Sequence, residues 1–253
     1  MYHVQCVFCT LLHYTQFTHH IMSGHLAILF KCVYENPEGM LPMLFKADLV
    51  KTMMPLVNSP DQTLRICSKT VVSLLLAILD DTVMPCLNLK ADEASRLIEL
   101  LSIATKESRA SEGLLTYSTV QLLTSLINLS SLAANQPVIL KAGIMKPLKS
   151  LILSEDYTTQ EQSLHLFWIL LSGRQFSCEV LTGHLELGDV RLMLQFIQQS
   201  PSLNLSLIAQ CALKTIYWDS PEGVVMLLYF MQYVACCMFT ILKNLRYVQS
   251  LPS

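Results

Sequence analysis

Cys6-Val7-Phe8-Cys9, followed by His13, His19 and His20, is the stretch of this 253-residue chain that comes nearest to a metal-binding set. Thiolates and imidazoles are the usual ligands of structural zinc, but a zinc framework sets its second ligand pair about twelve or more residues beyond the first. These histidines follow too closely and lie in an apolar, poorly turned stretch. A loosely packed first helix is expected there, and no metal is assigned. His165 beside Trp168 reads as a packed or surface helix histidine rather than a base, and Asp80-Asp81 as a solvated helix end without a partner acid. No phosphate-cradling Gly-rich loop, nucleophile elbow or metalloprotease helix is present. With only eight glycines, close backbone approach to a ligand has few places to occur. The expectation is a protein that is not an enzyme, with no catalytic residue, no cofactor and no small-molecule substrate.

Composition narrows the partners. A formal net charge of -2 leaves no basic stripe for phosphates, and no Lys/Arg run interleaves with aromatics to stack bases, so nucleic acid is excluded. Nine cysteines, an odd number without disulfide-like spacing, mostly sit inside apolar helical patterns, as Cys32, Cys67 and Cys211 do. Together with an opening that lacks a signal-peptide pattern, this makes a reducing cytoplasmic location the expectation. Asn128-Leu129-Ser130 and Asn204-Leu205-Ser206 match the glycosylation sequon but fall within expected helices and are read as chance. The chain is 52% hydrophobic and only 14% charged, an excess that needs a continuous buried core, a membrane segment or a covered partner surface.

The elements that would supply such a core repeat. DLVKTMMPLV from Asp48, DEASRLIELL from Asp92, GIMKPLKSLI from Gly143 and GDVRLMLQFI from Gly188 align without gaps. Equivalent positions hold Val50, Ala94, Met145 and Val190; then Met53, Leu97, Leu148 and Met193; then Val57, Leu101, Ile152 and Ile197. Spacings of three and four residues put the three columns on one helical face. The starts lie 44, 51 and 45 residues apart, close to the roughly 40–47 residues of HEAT and armadillo units. Longer helices are expected between them at about 61–81, 118–134, 159–172 and 203–218, with another at 20–34. Pro60 and Pro201 stand near two helix starts, where a missing amide donor costs little. Strand signals are absent. The expected fold is all-α, and a single helix pair cannot cover its own apolar face, so neighbouring repeats must cover it.

One unit carries a family likeness. A long helix ending in Ile127-Asn128-Leu129-Ser130, then Asn135, then Lys141-Ala142-Gly143-Ile144 opening the next helix, resembles an armadillo repeat. Thr159-Gln160-Glu161-Gln162-Ser163-Leu164 is similar to the start of that repeat's long third helix. The resemblance implies a right-handed α-solenoid of about five armadillo-like repeats, over about residues 18–230. It also implies that the third helices line a concave groove that takes extended peptides. In importin-like members a Trp and an Asn one turn later hold the peptide. Here the Trp positions correspond to Ile28, Thr124, His165 and Cys211, and the Asn positions to Cys32, Asn128, Ile169 and Thr215. Only Asn128 fits, so nuclear-signal recognition by that ladder is not expected. Thr124, Asn128, His165, Ile169, Cys211 and Thr215 would line a neutral, fairly apolar groove instead, suited to a peptide, an amphipathic helix or a neighbouring domain. Lys51, Lys146 and Arg191, with Ser95 between, form a column of cations that would either meet an acidic partner or face solvent. The second unit departs from the pattern through a Ser- and Glu-rich insertion at 106–113, expected to be an exposed loop.

The last apolar run, GVVMLLYFMQYVACCMFTIL from Gly223 to Leu242, has no charge and is followed by Lys243 and Arg246. Twenty such residues are long enough to span a bilayer. Against that, Asn36-Pro37-Glu38-Gly39 parallels Ser220-Pro221-Glu222-Gly223, which would make the run a closing repeat. A closing repeat normally has a polar outer face; without one, either something covers this end or the chain continues in a longer protein. The expected organisation is an N-terminal segment at 1–17, a repeat array at 18–242 and a tail at 243–253. The expected role is a cytoplasmic, non-catalytic protein-binding scaffold, with a membrane-anchored repeat protein as the alternative.

Overall fold

The structure is a computed structural model that describes residues 19–36, 39–40, 49–75, 84–172, 194–195, 197–198 and 203–217. The chain divides into two compact units, residues 1–176 and 177–253. In the first unit the helices described with both ends are α1 (His19–Glu35), α2 (Leu49–Val57), α3 (Gln62–Ser73), α4 (Ala91–Glu107), α5 (Thr119–Ser130), α6 (Gln136–Lys141), α7 (Met145–Ile152) and α8 (Tyr157–Ser172), with a 3-10 turn at Met84–Leu87. The caps are local. Asp61 accepts the amide of Leu64 at 2.8 Å to start α3, and Ser118 and Gln121 form a capping box at the start of α5. Asp92 and Glu93 stand in the first turn of α4 and Lys106 in its last, where the helix dipole favours each sign.

The aligned columns occupy equivalent environments. Met53, Leu97 and Leu148 expose no surface, and Val57, Leu101 and Ile152 are likewise buried. Ala94 and Met145 complete the third column of the described copies. Along the array α1 packs on α3, α3 on α5 and α5 on α8, while α2 packs on α3 and α7 on α8. Within the first unit, α3 is thus covered by the long helices on either side and by the short α2, as stacking requires. In the second unit, α9 (Leu203–Tyr217) buries Leu205, Ala209, Ala212 and Leu213, one apolar stripe, and Ile197 is buried as in the aligned copies. The segments 1–17 and 223–242 lie outside the described residues. Among the described residues, no helix is long and apolar enough to cross a membrane.

Asn135 locks two successive repeats together. It is fully buried; its Oδ1 accepts the Leu89 amide at 2.7 Å, and its Nδ2 donates to the carbonyls of Leu129 at 2.9 Å and Leu87 at 3.1 Å. The turn after α5 is therefore bonded to the segment that leads into α4. Truncation to alanine strands the Leu89 amide and the Leu87 carbonyl away from water, while the Leu129 carbonyl keeps the Leu132 amide at 3.3 Å. Each stranded group costs about 1–3 kcal/mol. Asn135→Ala is expected to lower the urea midpoint by the equivalent of about 3 kcal/mol with an unchanged m value; a shift under a third of that would refute the lock.

One expectation is corrected in part. Residues 106–109 are exposed as expected, but 106–113 is not a loop throughout: Lys106 and Glu107 end α4, and the chain then enters a β-hairpin of β1 (Ala110–Glu112) and β2 (Leu115–Tyr117), paired Ala110↔Tyr117, Ser111↔Thr116 and Glu112↔Leu115. Ala110, Glu112, Leu115 and Tyr117 are buried while Ser111 and Thr116 are exposed, so one face of the ribbon is packed. Gly113 takes φ +59° at the first corner of the two-residue turn, where type II′ geometry calls for glycine. A Cβ there would also meet Ser23 Oγ at 2.5 Å. Gly113→Ala is expected to cost about 1–2 kcal/mol from the backbone alone, read as faster amide exchange in 110–117; unchanged protection would count against this account.

Candidate functional site

On α5 the half-buried positions Gln121, Thr124 and Asn128 recur at helical spacing, whereas Leu122, Leu123, Leu126 and Leu129 are buried. Thr124 Oγ1 donates to the Val120 carbonyl at 2.9 Å and is thereby satisfied. The side-chain amide of Asn128 makes no hydrogen bond among the described residues. On the neighbouring α8, His165 and Ile169 are also half-buried. The His165 ring stacks on Trp168 with centroids 6.1 Å apart and an interplanar angle of 25°. Burial pushes its pKa down, opposed by the charge of Glu161, so the imidazole is held toward its neutral form. Thr124, Asn128, His165 and Ile169 thus stand on two helices packed side by side. Cys211 is half-buried on α9 of the second unit, and the side chain of Thr215 lies outside the described residues. Ile28 is exposed and Cys32 half-buried on α1.

The long helix α3, between α1 and α5 in the array, offers no such row because the hairpin covers it. Thr63 Oγ1 donates to Glu112 Oε1 at 2.8 Å, Cys67 Sγ to the Glu112 carbonyl at 3.3 Å, and Thr70 Oγ1 lies 2.9 Å from the Tyr117 hydroxyl. On the other side of the ribbon's seat, the Leu114 amide donates to Ser23 Oγ of α1 at 2.8 Å, and Tyr117 meets Phe30 edge-on at 5.2 Å. The hairpin lies lengthwise between α1 and α3, its turn toward their N-terminal ends. Arg96 Nε holds Glu112 Oε2 from α4 at 2.8 Å. Burial raises the Cys67 thiol to about 12 and the Tyr117 hydroxyl well above its ordinary value, so neither is a nucleophile. Between α1, the hairpin and the start of α5 remains a cavity of about 470 Å³, with Phe30, Lys31, Arg109, Leu114, Thr116 and Gln121 in its wall. Sequence reasoning missed this floor; the only signal was the alternation around Gly113.

Lys146 and Ser95 of the cation column are exposed; the Lys51 side chain and Arg191 lie outside the described residues. Cys6, Cys9 and His13 do as well, and among the described residues no group of three His, Cys, Asp or Glu could hold a metal ion.

Several solved structures are similar to the chain. One is an engineered protein of the Northeast Structural Genomics Consortium, with 18% identity and a TM-score of 0.53 over 89% of this chain and 85% of that one. A second belongs to computationally designed armadillo repeat proteins for modular peptide recognition, with 14% identity and a TM-score of 0.52 over 87% and 84%. The fold is that of an armadillo repeat array. A third, a designed armadillo repeat protein in complex with the peptide (KR)4, has 16% identity and a TM-score of 0.51 over 87% and 84%. No protein-family model matches the sequence, and no curated protein matches it either. At these identities the likeness to the armadillo proteins is one of fold: an all-α solenoid, here with a hairpin laid along one of its long helices.

Proposed function

We propose that this armadillo array is a non-catalytic scaffold that holds a peptide, an amphipathic helix or a neighbouring domain against the half-exposed face of α5 and α8. The observation that carries the reading is Asn128: a side-chain amide without a described partner, on a helix packed against α8, which carries the stacked His165–Trp168 pair. An amide with open donors and an acceptor suits backbone recognition, and aromatic surface on the neighbouring helix suits apolar anchoring. Two of the similar structures are designed armadillo proteins, one for modular peptide recognition and one in complex with (KR)4. A neutral row such as Thr124, Asn128 and Ile169 favours a less charged partner than that peptide. The compartment that goes with this reading is the reducing cytoplasm, where thiols such as Cys32, Cys67 and Cys86, free among the described residues, persist.

The test is affinity capture with the intact chain and with an Asn128→Ala/His165→Ala variant. Partners held by this face should be lost or weakened roughly tenfold, the scale of one interface anchor, while the thermal melt stays cooperative. Partners retained at equal strength would defeat the reading.

A further inference from the structure

We propose that the open edge of β2 accepts an extended, acidic peptide segment of a partner protein as a third strand, lying in the cavity between α1, the hairpin and α5. The proposal rests on the peptide-binding reading above and gives it a second place on the chain. Four observations carry it.

The first is register. The two-residue turn Gly113-Leu114 makes Glu112↔Leu115 the closing hydrogen-bonded pair, and pairs alternate along an antiparallel ribbon. Ser111↔Thr116 is therefore the non-bonded pair, and the N–H and C=O of Thr116 point away from β1. The second is that, among the described residues, nothing bonds to those two groups; the Thr116 hydroxyl alone is engaged, with Ser111 Oγ at 3.2 Å. The third is the cavity wall. Leu114, Leu115 and Thr116 line it consecutively, although alternate side chains of a strand point to opposite faces, and β1 does not line it. A strand edge, rather than a strand face, looks onto the space. Its volume of about 470 Å³ lies within the range of ligand-binding clefts.

Charge supplies the fourth. Arg109 is exposed in the wall and makes no ion pair among the described residues, whereas Lys31 shares its charge with Glu35 at 4.0 Å. A peptide strand on Thr116 would exchange one pair of backbone hydrogen bonds with it, rest apolar side chains on Phe30 and Leu114, and bring an acidic side chain to Arg109 at the Ser118 end of the strand. Strand addition of this kind draws affinity from the main chain and selectivity from the flanking side chains.

The experiment uses the full chain and fluorescein-labelled, end-capped octapeptides of alternating valine and threonine in which one aspartate is moved along the sequence. A matched set carries lysine, and a third set carries single N-methyl groups. The aspartate set should bind roughly threefold to fivefold more tightly than the lysine set in anisotropy titrations. Blocking the one peptide amide that pairs with Thr116 by N-methylation should weaken binding roughly tenfold or more, with its neighbours tolerated. R109E, on an exposed side chain, should reverse the charge preference. Thr116→Pro should abolish strand addition, because the lost N–H is not one the hairpin uses; amide exchange at Tyr117 verifies that the ribbon persists.

Equal tolerance of N-methylation at every position, a charge preference indifferent to R109E, or no binding by any of the three sets would overturn the proposal. Binding that is lost in the Asn128→Ala/His165→Ala variant but kept in Thr116→Pro overturns it while leaving the α5–α8 reading in place. The reverse pattern upholds the edge and removes that reading for these peptides.

Discussion

Glu93→Gln is expected to destabilise the chain by about 3–5 kcal/mol, the scale of breaking a buried ion pair from one side. Glu93 is fully buried. Its carboxylate accepts from Arg65 Nε at 2.7 Å, from Lys69 Nζ at 2.7 Å and from the Lys90 amide at 2.9 Å. Arg65 and Lys69 are themselves buried on α3. Arg65 reaches the carbonyls of Ser59 and Pro60 and, at 3.3 Å, the half-exposed carboxylate of Asp92; Lys69 reaches the carbonyl of Asn88 at 2.7 Å. Glutamine keeps the shape of Glu93 but leaves these two cations with a single partly solvated counter-charge. The coupling is testable separately. Lys69→Met combined with Glu93→Gln should cost at least 1 kcal/mol less than the sum of the two single changes; strict additivity would show that the pair does not interact.

The same group sets an acid limb. Burial alone would raise the Glu93 pKa, but hydrogen bonds from Lys69, the Lys90 amide and Arg65 outweigh it and hold the carboxyl below its ordinary value. A depressed folded-state pKa means stability that is fully present above the unfolded value of about 4.3 and lost as pH falls through the folded one. Denaturation midpoints measured from pH 6 downward should therefore fall below about pH 4.3 in the parent and fall less steeply in Glu93→Gln. Identical slopes would exclude Glu93 as the titrating group.

Tyr117→Ala is the second large effect, expected at about 3–5 kcal/mol for a deleted core aromatic. Tyr117 has no exposed surface, stacks edge-on with Phe30 of α1 and meets Thr70 of α3 through its hydroxyl. It pins the hairpin to both helices at once. Tyr117→Phe should cost only about 1 kcal/mol, because Thr70 Oγ1 also reaches the Cys67 carbonyl at 2.8 Å. Thiol labelling at pH 8 gives an independent reading: Cys67, buried beneath the hairpin with its pKa raised to about 12, should be protected in the parent and modified in Tyr117→Ala. Continued protection would mean that the ribbon is held by something other than Tyr117.

Much of this was legible in single residues. The columns through Met53, Leu97 and Leu148 are buried because a three- and four-residue spacing can serve only one helical face. Ser118 ahead of Gln121 announced the start of α5, and Asn135 occupies the place that its likeness to an armadillo unit implied. The candidate row on α5 and α8 came instead from the armadillo likeness, carried over position by position; Thr124 and Asn128 are half-buried between the buried leucines of α5.

The hairpin was not legible, nor was the state of α3. Strands of three residues carry too little alternation to stand out, and the turn glycine is informative only once Ser23 and Thr63 are known to close around it. On α3, Arg65, Ser68, Lys69, Thr70 and Ser73 look like a solvated side, yet all are buried. Periodicity reports which residues share a face, since that depends on chain geometry alone. What covers a polar face depends on charges brought from 24 and 28 residues away, and on a ribbon inserted 45 residues beyond. Only folding makes those meetings, so the repeating helices were written locally, while the buried ions and the filled furrow were settled in three dimensions.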